Sequence, residues 1–94
     1  MSIGYTWEKL YGAVLALVHS DSTLQDRVAS AYRAMHMLTR EDFPDEELQE
    51  KYARLVQAWR PDQARAIAET LLRLYTEITR REEQHYRSLS SRDL

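Results

Sequence analysis

The chain has 94 residues, 44% apolar and 30% charged, with a formal net charge of −2 and no cysteine. That length suits one domain with a thin core, and the composition is globular, excluding a wholly disordered chain, a disulfide scaffold and thiol chemistry. The longest near-apolar run, Ala13 to Val18, falls far short of the roughly 20 residues of a membrane span. No basic leader with a small-residue cleavage site is present, so a cytoplasmic protein of bacterial type, with no membrane partner, is expected.

Apolar spacing reads as helix throughout. The first row is Trp7, Leu10, Tyr11, Val14, Leu17 and Val18, with Thr6 placed to cap its start. "HSDST", residues 19 to 23, breaks that helix. Ser22 and Gln25 have capping-box spacing and open a second helix with the row Leu24, Val28, Ala31, Tyr32, Met35, Leu38. Pro44 disfavours a helical Phe43, and the acids at 45 to 47 suit a new helix start. The third row is Leu48, Tyr52, Leu55, Val56 and Trp59. Pro61 ends it and fits the first turn of a fourth helix, whose row is Ala64, Ile67, Ala68, Leu71, Leu74, Tyr75, Ile78. Short breaks favour antiparallel neighbours. The expected fold is all-α, one domain over 1–94. It is a four-helix bundle of two antiparallel helical hairpins with a long C-terminal helix, fraying from about residue 88. Leu24-Val28-Tyr32 and Ile67-Leu71-Tyr75 share a spacing that any amphipathic helix can have, and no tetratricopeptide signature is present.

The C-terminal stretch "TRREEQHYRSL", residues 79 to 89, holds Glu82 and His85 three apart. That is the Glu-x-x-His spacing of di-iron bundles, which need two such motifs and two further Glu residues. One motif stands here, and His19 and His36 fall about 120° from their helices' apolar directions. Glu82 and His85 are therefore expected to sit where burial ends, binding no metal. Arg65, Glu69, Arg73, Glu77 and Arg81 form a ladder of alternating charge, expected to support an overhanging helix. No cofactor is expected, because glycine-rich phosphate loops and a strained serine turn are lacking. Ser20, Ser22 and His19 read as helix termination. Asp45, Glu46, Glu47 and Glu50 read as a solvated helix start.

Charge is unevenly spread: residues 1–40 sum to +1, 41–50 to −6 and 51–94 to +3. A helix-turn-helix reading of the first two helices puts Asp21 and Asp26 against phosphates, which is unfavourable. The basic tail Arg80, Arg81, Arg87 and Arg92 is diluted by Glu82, Glu83 and Asp93. A nucleic-acid-associated regulator is thus the second reading, and a metal-binding bundle the third. The first rests on helix 1, which carries no full charge from Leu10 to Val18. Gly12, Ala13 and Ala16 lie opposite its large apolar residues, and small residues let another backbone approach closely. The expectation is a non-catalytic protein-interaction module, a homodimer or a subunit of a larger assembly. Gly12, Ala13 and Ala16 form its interface, enlarged by Met37, Tyr86 and Leu89.

Overall fold

The computed structural model describes residues 3–18 and 22–92; the side chains of 61 and 89–92 lie outside that description. The described residues form four α-helices and no strand: α1 (Ile3–Leu17), α2 (Leu24–Met35), α3 (Glu46–Gln57) and α4 (Ala64–Arg92). Short 3₁₀ turns at Arg40–Asp42 and Pro61–Gln63 precede α3 and α4. The expected all-α bundle of two antiparallel hairpins with a long last helix is the fold observed.

Helix starts follow local hydrogen-bond chemistry. The first amides of a helix lack partners within it, so a side-chain oxygen there is stabilising. Asp45 does this for α3, accepting from the Leu48 N–H at 2.9 Å. Thr23, not Ser22, caps α2, accepting from the Asp26 N–H at 3.2 Å. At the far end of α1, Arg27 donates to the Leu17 carbonyl at 2.9 Å. A cation there also favours the negative end of the helix. The break at Ser20 and His19 lies outside the described residues.

The core is one cluster. Leu10, Ala13, Val28, Met35, Leu48, Leu71 and Ile78 are at or near zero exposure. Removing such side chains from water supplies the main stabilisation, about 1.5–3 kcal/mol for each large one. α1 packs most closely against α2 on one side and α4 on the other, and α3 packs against α4. α2 and α3 barely touch, so the fourth side of the bundle is open.

Helix 1 corrects two expectations. It begins at Ile3, so Thr6 is not a cap. Thr6 is fully buried, and its hydroxyl donates to the Asp42 carbonyl at 2.6 Å. Ala13 has 0% exposure and belongs to the core. A methyl group on Gly12 would lie 3.9 Å from the Ala34 Cβ of α2, and Ala16 packs half-buried against the core. The small residues do permit a close backbone approach, but the backbone that approaches belongs to α2 of the same chain.

α4 has 29 residues, so it is about 43 Å long and sets the long dimension of a 49 × 26 × 19 Å molecule. It stays helical past residue 88, where fraying is expected from sequence. Ile78 is its last fully buried side chain, and Glu83 to Ser88 are exposed. No described helix is long and apolar enough to cross a membrane.

Candidate protein-binding interface

The charge ladder on α4 does not remain a ladder. Each four-residue step advances about 40° around a helix, so the row precesses. Arg65 pairs within α4, with Glu69 at 3.5 Å. Two rungs later the row has turned to α3, where Glu77 binds Lys51 at 2.6 Å. Arg81 binds Asp45 at 2.9 Å and lies 3.6 Å from Glu47. Lys51 also reaches Glu47 at 3.2 Å. These charges clamp α3 to α4. The Leu48 amide and the Arg81 guanidinium hold the Asp45 carboxyl below its ordinary range. Hydrogen bonds from the ammonium to Glu77 and Glu47 raise Lys51, and the bond to Asp45 raises Arg81.

This clamp also bears on the basic tail. Arg81 is occupied by acids, while Arg80 lines an open concavity of about 540 Å³ with Lys51, Arg73 and Glu77. The Arg92 side chain lies outside the described residues. Glu82 is half-buried and His85 exposed, with its ring against Tyr86. The described residues bring no group of three or more potential metal ligands together. His36 Nδ1 lies 2.8 Å from the Arg33 carbonyl, and His19 lies outside the described residues.

The other α1 flank carries the large side chains. The Trp7 indole N–H donates to the Thr79 hydroxyl of α4 at 2.9 Å. Trp7 stacks on Tyr11 with centroids 5.0 Å apart, and Tyr11 meets Tyr75 of α4 at 6.2 Å. These pairs fix the register: four residues forward on α1 match four back on α4. The same step brings Leu15 level with Leu71, and the next residue, Leu72, also borders the concavity of Lys51, Arg73 and Arg80. At about 100° per residue, Leu72 lies next to the Tyr75 and Thr79 flank of α4.

An apolar seam results, running along α1 and α4. Tyr11 is 40% exposed, Leu15 46%, Val18 67% and Leu72 44%. Half-buried Trp7, Val14, Ala68 and Tyr75 floor it. An isolated exposed leucine is ordinary, whereas contiguous exposed apolar side chains mark contact surfaces. The charge-free character of helix 1 is thus displayed on this flank and not at Gly12, Ala13 and Ala16. Of the other expected interface residues, Met37 is 65% exposed and Tyr86 56%. Met37 follows α2, and Tyr86 lines a concavity with Ile3 and Gly4 at the start of α1. The Leu89 side chain lies outside the described residues. Tyr11 and Val18 appear in the sequence as core positions, because Trp7, Tyr11, Val14 and Val18 are the bulkiest apolar row of the helix, whereas Leu15 and Leu72 fall outside the apolar rows of their helices.

No protein-family model, curated protein or solved structure matches this chain.

Proposed function

We propose that this chain is a protein-interaction module that acts by binding, without catalysis of its own. One observation carries the reading: the seam of Tyr11, Leu15, Val18 and Leu72 leaves large apolar side chains in water along two packed helices. Its occupant is an apolar face of a protein chain, in the simplest case a second copy, giving a homodimer. Aromatic and aliphatic anchors in such a strip supply most of the affinity of small interfaces.

The test is affinity capture from the cells that express the protein. The bait is compared with a Leu15→Glu, Leu72→Glu double variant and with an Arg54→Glu control on exposed α3 surface. Capture of a defined protein, itself included, that is lost with the double variant and kept with the control supports the reading. Capture unaffected by the double variant contradicts it.

A further inference from the structure

The open side of the bundle, between α2 and α3, holds a second surface of different chemistry. Two concavities of about 300 and 350 Å³ lie there side by side. Tyr32 and Val56 line both, so the Tyr32 ring forms the ridge between them. Trp59 braces that ring at a centroid distance of 5.2 Å and forms the far wall of one concavity. Leu38 and Tyr52 wall the other, and the Tyr52 hydroxyl donates to the Leu38 carbonyl at 2.7 Å, which fixes that wall.

The charge of the lining is one-sided. Arg33 and Arg40 stand in it, Arg40 paired with Glu50, and neither concavity is itself lined by an aspartate or a glutamate. This occurs in a chain whose net charge is −2. Adjacent apolar pockets divided by an aromatic ridge suit an extended peptide with apolar side chains, since aromatic-lined grooves hold such segments with little loss of entropy. The cationic edge at Arg33 selects an acidic residue beside those side chains.

We infer that the α2/α3 cleft binds an acidic peptide segment of another protein, with apolar residues seated on either side of Tyr32 and an acidic residue against Arg33. The chain's own acidic segment cannot serve from a second copy. Phe43 is buried, and Asp45 is held by the Leu48 amide and Arg81. A single-stranded nucleic acid would also stack on aromatic rings, but it needs a continuous cationic track. Arg40 is already paired with Glu50. The cleft is separate from the α1/α4 seam, so each surface is tested independently.

The probe is a phage-displayed dodecapeptide library, selected on the wild-type protein. The best peptide is then synthesised and its affinity measured by fluorescence anisotropy. The expected consensus pairs Asp or Glu with Pro, Leu or an aromatic residue. Arg33→Glu should weaken binding about tenfold or more, as loss and reversal of a charge-assisted contact, while Arg54→Glu leaves it unchanged. Amide resonances of residues 29–40 and 52–59, with the Trp59 indole, should shift on titration, and those of Trp7 and Leu15 should not. No enriched sequence, a consensus without acids, or insensitivity to Arg33→Glu overturns the inference. So does displacement of the peptide by a thymidine oligonucleotide that binds the same residues more tightly.

Discussion

The hydroxyl of Thr6 donates to the carbonyl of Asp42, 36 positions further along the chain, at 2.6 Å and fully buried on the Thr6 side. It ties the first helix to the turn that introduces the third. Asp42 in turn accepts from the Thr39 N–H at 2.9 Å, and Tyr52 holds Leu38. The segment joining the two hairpins is thus pinned by side chains of both. Thr6→Val keeps the shape and leaves the Asp42 carbonyl without this donor. A loss of about 1–3 kcal/mol is expected, with Thr6→Ser retaining most of the stability. Urea unfolding of the three proteins checks this; equal midpoints would show that the bond contributes nothing.

The faces of α1 give the next expectation. Ala13→Arg inserts a cation into a fully buried site and should abolish the folded state or nearly so. Leu10→Ala should cost about 2–5 kcal/mol, and Leu15→Ala, about half exposed, well under that. Thermal unfolding followed by circular dichroism reads all three. A stable Ala13→Arg protein would return the small residues to the outside of the bundle.

This is also where sequence legibility ends. α3 and α4 were readable because polar residues surround their apolar rows, so one direction stands out. Asp45 and Pro61 mark their starts by hydrogen bonding and ring geometry. Helix 1 is apolar or small on most sides, so its period does not choose the buried face. Bulk then misleads: small Ala13 is fully buried and Gly12 faces Ala34 of α2, while Trp7 and Tyr11 pack flat along the flank. The precession of the charge ladder onto α3 was legible in principle from its 40° step, but the position of α3 was not. The α2/α3 cleft depends on helices that fail to meet, which no local pattern records.

Acid should weaken the clamp between α3 and α4. Asp45 has its carboxyl held below the ordinary value of 3.8, so its contribution is complete above that value and is lost as pH falls through the lower folded-state range. Asp45→Asn should flatten this part of the acid unfolding profile. Its α3 cap is largely kept, since an amide oxygen still accepts from the Leu48 N–H. An acid limb unchanged by Asp45→Asn would contradict the assignment.

Alkali acts through Tyr52. Burial pushes its phenol up to about 12, so the neutral form stabilises the fold. That contribution is intact below the ordinary value of 10 and is lost as pH rises toward about 12. Ultraviolet difference absorbance should show one of the six tyrosines ionising only with unfolding. In Tyr52→Phe that late phase should be missing, and the protein should be less stable at neutral pH because Leu38 loses its donor.

The central claim is that the α1/α4 seam is a contact surface in the cell. Site-specific incorporation of a photo-crosslinking phenylalanine at Leu15 tests it most directly, with the same probe at Arg54 as the reference. The seam reading predicts a discrete covalent adduct from position 15 after illumination of living cells, at the mass of a dimer or of one partner, and none from position 54. Absence of an adduct at position 15, or the same diffuse pattern from both positions, would contradict it.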